Sequence, residues 1–162
     1  MKKHLRVRSK IRQNQEQRGT FAEERVYQAA CSLRDRYGVL ARVTRTEKWD
    51  SRDRRGMDII VRGRDPLHAF FSIDVKNSSA GVNAFYRERS RKSALGEQNP
   101  IPGYAFLFGH ESMQHLELKL LRFVFENSKN YKHAAELVPE YDHIAGPDFR
   151  ERLKYFIASV FS

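Results

Sequence analysis

The residues of this chain best suited to chemistry lie in two short stretches. Gly56-Met57-Asp58-Ile59-Ile60-Val61 puts a carboxylate near the start of an apolar run. Ile73-Asp74-Val75-Lys76 puts a carboxylate and an ammonium at the end of the next run. Residues two apart on a strand project from the same face, so Asp74 and Lys76 point the same way. If the two runs pair through the turn marked by Asp65-Pro66, Asp58 comes beside Asp74. A carboxylate at the end of a buried strand is costly unless it is paired or binds a metal. Two adjacent carboxylates raise each other's pKa, and a divalent cation relieves the repulsion. Oxygen ligands suit Mg²⁺, which takes one or two carboxylates together with waters and substrate phosphate. A structural ion pair between Lys76 and the two aspartates is the competing reading of the same pattern.

The elements that must position these groups follow from periodicity. Thr20, with Glu23 three residues later, forms a capping-box pattern that opens a helix running to about Tyr37, where Gly38 stops it. Its apolar stripe is Ala22, Val26, Ala29, Ala30, Leu33 and Tyr37. Glu23 flanks that stripe and can look along a sheet, while Glu24 points almost to the opposite side. The capping box and a place in the site are rival roles for Glu23. Val39 to Val43, Met57 to Val61 and His68 to Val75 read as strands, the last apolar enough to be buried on both faces. Val82 to Leu95 reads as a basic helix carrying Arg87, Arg89, Arg91 and Lys92, and Tyr104 to Phe108 as a fourth strand. The strand–helix–strand unit predicts a parallel pair inside a mixed sheet. Leu116 to Phe125 fits either a helix or a strand, and Gly146-Pro147-Asp148 opens a last helix with Phe149, Leu153, Phe156, Ile157 and Val160 on one face.

Gly19-Thr20-Phe21-Ala22-Glu23 on a first helix, then Gly56-Met57-Asp58, then Asp74-Val75-Lys76, resembles the PD-(D/E)xK nuclease superfamily. Within it, the layout is most similar to Holliday-junction resolvases and small resolvase-like endonucleases. The resemblance covers about residues 19 to 109. It implies an α/β fold of the restriction-endonuclease-like type, a mixed central β-sheet flanked by helices with an αβββαβ core. It also implies Mg²⁺-dependent endonuclease activity on DNA, with Mn²⁺ as a substitute metal and structure rather than sequence as the determinant of cutting. The family roles carried onto this chain make Asp58, Asp74 and Glu23 metal ligands and give Lys76 the positioning or activation of the water. Met57 stands where many members have proline. Relatives of this type often cut as homodimers.

The chain has 162 residues, with 30 Lys and Arg against 20 Asp and Glu, and this net +10 points to a polyanionic partner. DNA is the expectation and RNA the alternative. Residues 1–18 carry Lys2, Lys3, Arg6, Arg8, Lys10, Arg12 and Arg18 against Glu16 alone. They read as a mobile basic arm that lies along phosphates or is a solvated tail. Residues 19–162 read as a single domain, with its core at 19–109 and a C-terminal extension at 110–162. Arg87, Arg89, Arg91 and Lys92 are further candidates for phosphate contact, or a solvated helix face. No apolar run reaches the length of a membrane span, and the N-terminus lacks the apolar stretch of a signal peptide. A soluble, cytoplasmic protein is expected.

Other features carry less. The single Cys31 excludes an internal disulfide and cysteine-based zinc clusters. His110 and His115 are five residues apart, not the four a zinc-protease helix needs. Glu47, Asp50 and Asp53 more simply balance Arg45, Lys48, Arg52, Arg54 and Arg55, and Trp49 either packs or stacks on a base. No phosphate-binding glycine loop or dinucleotide fingerprint is present. Two rivals to a nuclease therefore stand: a catalytically silent nucleic-acid-binding module of the same fold, and a small basic interaction protein.

Overall fold

The computed structural model describes residues 2–47, 57–64, 68–97 and 99–128. The turn at Asp65-Pro66, the charged stretch with Trp49, Asp50 and Asp53, and the helix expected after Gly146 lie outside the described residues. The described elements are α1 (Lys2–Asp35), β1 (Leu40–Arg45), β2 (Ile59–Gly63), β3 (Phe70–Lys76), α2 (Ser79–Ala94), β4 (Gly103–Leu107) and α3 (Met113–Glu126). This is an α/β architecture with a four-stranded mixed sheet ordered β1-β2-β3-β4.

The first helix corrects two expectations. It begins at Lys2 and not at Thr20, so residues 2–18, read as a basic arm, are a helical continuation of the core helix. The segment is rich in Lys, Arg, Gln and Glu, straight-chain residues that lose little rotamer freedom in a helix. Gly19 costs up to about 1 kcal/mol in a helix interior, too little to break the run. Thr20 is therefore no N-cap: its hydroxyl donates back to the Glu16 carbonyl at 3.0 Å. That removes the capping-box role from Glu23. The helix ends at Asp35, and Gly38, at φ 63°, takes the left-handed conformation that turns the chain toward β1.

β1 pairs antiparallel with β2, and β2 antiparallel with β3. β3 pairs parallel with β4 across the α2 crossover, as the strand–helix–strand unit requires. One face of the sheet is covered by α1 and α3, which pack against each other. The core there is the expected stripe Ala22, Val26, Ala29, Ala30 and Leu33 against Val43, Ile59, Val61, Phe71 and Ile73. On α3, Phe123 packs edge-on against Phe71, Tyr104 and Phe106. That contact settles the segment after residue 112 as a helix, with Leu116, Leu120, Leu121 and Val124 buried at helical spacing.

The opposite face is covered in part. α2 packs on β4 and β3 but buries no residue fully. It is tied to β4 by polar side chains: Tyr86 Oη accepts from the Ala105 N–H at 3.3 Å, and Arg89 donates to the Gly103 carbonyl. Glycine at 103 makes room for these contacts, because a Cβ there would lie 2.7 Å from the Ser72 hydroxyl and 2.6 Å from the Arg89 guanidinium and would force both side chains to shift.

The α1–α3 seam holds a buried carboxylate. Glu117 is 5% exposed, accepts a hydrogen bond from Tyr37 Oη at 3.1 Å, and has Arg36 3.9 Å away. Burial, and then the Glu117 charge, push the Tyr37 hydroxyl above its usual pKa, so it stays a donor. Removing that donor leaves the carboxylate short of a partner in a buried place. Tyr37→Phe is expected to lower stability by about 1–3 kcal/mol, read as a lower melting temperature.

Candidate functional site

The strands bring Asp58, Asp74 and Lys76 together. The register Ile59↔Ile73 puts Asp58, one residue before β2, across from Asp74. The Asp58 N–H donates to the Ile73 carbonyl at 3.0 Å, and Asp58 Oδ2 accepts from the Val75 N–H at 2.7 Å. Its carboxylate thus continues the β2–β3 ladder beyond the last strand residue. The segment is also held from β1: the Thr46 N–H donates to the Asp58 carbonyl at 3.0 Å, and the Thr46 hydroxyl donates to the Met57 carbonyl.

Asp74 is 5% exposed, and the Lys76 ammonium lies 2.6 Å from its Oδ1. Lys76 also sits 5.9 Å above the ring of Phe85 on α2. Burial, then the Asp74 charge, push the Asp58 carboxyl up to about 7, with a smaller push from Glu23. The Val75 hydrogen bond and Lys76 act the other way without reversing the shift. A carboxyl poised near neutrality beside a second, buried carboxylate is a local excess of negative charge.

Glu23 approaches from elsewhere. It is carried by α1, which packs on β1, β2 and β3, and its neighbour Arg45 is the last residue of β1. Arg45 Nη2 is 3.9 Å from Glu23, and Arg45 also pairs with Glu24. Glu23 therefore reaches Asp58 as a charge neighbour. Among the described residues no three His, Cys, Asp or Glu side chains gather as a metal-binding group.

The chemistry of the pair still suits a hard divalent cation. Asp58 and Asp74 offer oxygen donors only, which is the one-or-two-carboxylate share that Mg²⁺ takes from a protein. Cation binding would also relieve the Asp74 repulsion that adds to burial in raising the Asp58 pKa. The ion pair with Lys76 is the protein's own partial answer to the same excess.

The expected phosphate contacts divide. On α2, Arg91 pairs with Glu88 at 2.8 Å, and Lys92 lies 3.8 Å from the same carboxylate. Arg89 turns inward to the Gly103 carbonyl and over the Phe85 ring, so it fastens the helix instead of facing solvent. Arg87 is exposed and makes no ion pair among the described residues. Lys2, Lys3, Arg6 and Arg8 lie on α1, and their side chains fall outside the described ones. Periodicity did not single out Arg42, Arg62 and Phe70, which stand in one row across β1, β2 and β3. No helix among the described residues is long and apolar enough to cross a membrane.

No family model, curated protein or solved structure matches this chain.

Proposed function

We propose that the chain is a metal-dependent DNA endonuclease of the PD-(D/E)xK, restriction-endonuclease-like type. The observation that carries the reading is the facing pair Asp58 and Asp74 with Lys76 2.6 Å from Asp74 at the mouth of β2 and β3. The element order, with three antiparallel strands followed by a helical crossover to a parallel fourth, supports it.

Asp58 and Asp74 would hold Mg²⁺ or Mn²⁺, and a bound cation supplies Lewis acidity to a phosphoryl oxygen and makes water a better nucleophile. Asp58 is held on the Val75 N–H, so its carboxylate needs no reorganisation to receive charge. Lys76 exchanges its contact with Asp74 for the phosphoryl oxygens and places positive charge where negative charge grows in the transition state. Glu23 contributes negative potential at longer range and stays with Arg45.

A catalytically silent nucleic-acid-binding module of the same fold is the second reading. The Arg45–Glu23 contact favours it, since it neutralises within the chain the acid that the resemblance assigns to the metal. The test is a labelled panel of linear duplex, single strand, flap and four-way junction, each with Mg²⁺, Mn²⁺ and chelator. Metal-dependent cutting is the expected result. Binding without cutting in either metal would establish the silent module.

A further inference from the structure

Among the described residues, no helix covers β1 and β2 on the sheet face that α2 shares with β3 and β4. The cross-strand register runs Arg42↔Arg62 between β1 and β2 and Arg62↔Phe70 between β2 and β3. These three side chains are exposed, Phe70 to 50%. Arg42, Thr44, Ile60, Arg62, Phe70 and Ile101 line a groove of about 280 Å³. Its floor is apolar and its rim carries guanidinium groups. Among the described residues neither Arg42 nor Arg62 has a carboxylate partner. This differs from Arg91 and Arg45, which are neutralised by glutamates.

Alternation along β3 puts Phe70, Ser72 and Asp74 on one face. Four residues of strand separate Phe70 from Asp74, about 13 Å at strand rise. That separation is within the reach of one strand that tracks along the sheet face. An exposed aromatic ring at the end of a row with two guanidiniums combines a face for a base with charges for its phosphates. A paired duplex offers no unstacked base to such a ring, whereas a single-stranded segment does.

We propose that the Arg42–Arg62–Phe70 row binds an unpaired nucleic-acid strand, stacking one base on Phe70 and fixing its phosphates with the two arginines. The proposal rests on the nuclease reading only for its consequence, namely that the row presents strands with unpaired nucleotides to Asp58 and Asp74. Substrate preference would then fall on flaps, gaps or single strands.

The test separates binding from cutting. Affinity for labelled oligo(dT) and for an equal-length duplex is measured in chelator, across a salt series, with the full chain. Phe70→Ala is expected to weaken oligo(dT) binding roughly tenfold and leave duplex binding unchanged. Phe70→Trp is expected to restore it. The Arg42→Ala/Arg62→Ala double variant is expected to lower the slope of log affinity against log salt by roughly 1 to 1.5. Phe70 is half exposed, so its replacement leaves the core intact, and a melting curve checks this. Unchanged oligo(dT) binding by Phe70→Ala, equal losses on both substrates, or no oligo(dT) binding by the wild type would each overturn the proposal. If oligo(dT) binds through Phe70 and no metal supports cleavage, the nuclease reading fails while the strand-binding row stands. Metal-dependent cleavage together with oligo(dT) binding that Phe70→Ala leaves unaltered would overturn the row and spare the nuclease.

Discussion

Lys76→Ala is expected to slow metal-dependent cleavage by about 10²- to 10³-fold, the usual loss when one preorganised charge is removed from a transition state. DNA affinity should change far less, because a single cation contributes little to a many-contact phosphate interface. The variant also strips Asp74 of its 2.6 Å partner, so some loss of stability accompanies it. Lys76→Arg separates the two effects. It keeps the charge that neutralises Asp74 but moves it on a longer, planar group, so stability returns while most of the rate stays lost. Rates are read under single-turnover conditions, below the melting temperature of each variant. Full activity in Lys76→Ala would leave Lys76 as a structural ion-pair partner only.

The second large effect concerns stability and pH. Burial and the Asp74 charge push the Asp58 carboxyl up to about 7 in the folded chain, from 3.8 for an unperturbed aspartate. Between these two values the folded state keeps a proton that the unfolded state has lost. Stability therefore falls as pH rises through this window, and the full penalty, about 4 kcal/mol at most, is present above pH 7. Asp58→Asn removes the penalty yet keeps an oxygen to accept from the Val75 N–H. In chelator at pH 8 the variant should melt several degrees above the wild type, and near pH 4 the two should converge. Mg²⁺ or Mn²⁺ should raise the melting temperature of the wild type and not of the variant. A variant that melts lower than the wild type at pH 8 would mean that the Asp58 charge stabilises the fold through Lys76.

Much of the site is legible in the sequence because it depends on strand geometry. Two apolar runs joined by a short connection pair antiparallel, and the facing of Asp58 and Asp74 follows from counting residues back from the turn. Glu23 is harder, because its position depends on where α1 begins. The Thr20 and Glu23 pattern resembles a helix start, but the preceding Lys, Arg, Gln and Glu sustain the helix from Lys2. Its surroundings also depend on Arg45, which belongs to a strand that residues 46–58 separate from β2 in the chain. On α2 the basic residues are visible, but their pairing is not. Glu88 at helical spacing takes Arg91 and Lys92, and the small Gly103 opens a place for Arg89. The Arg42–Arg62–Phe70 row is invisible in one dimension, since its members meet only through the register of three strands.

If a divalent cation held by Asp58 and Asp74 enables phosphodiester cleavage, the cleavage rate against Mn²⁺ concentration at pH 8, for the wild type beside Asp74→Asn, reports it. The expected result is a saturating rise for the wild type from no cutting in chelator, with a collapse of that rise in Asp74→Asn. Equal rates in the two proteins, or no cutting by the wild type at any metal concentration, would contradict it.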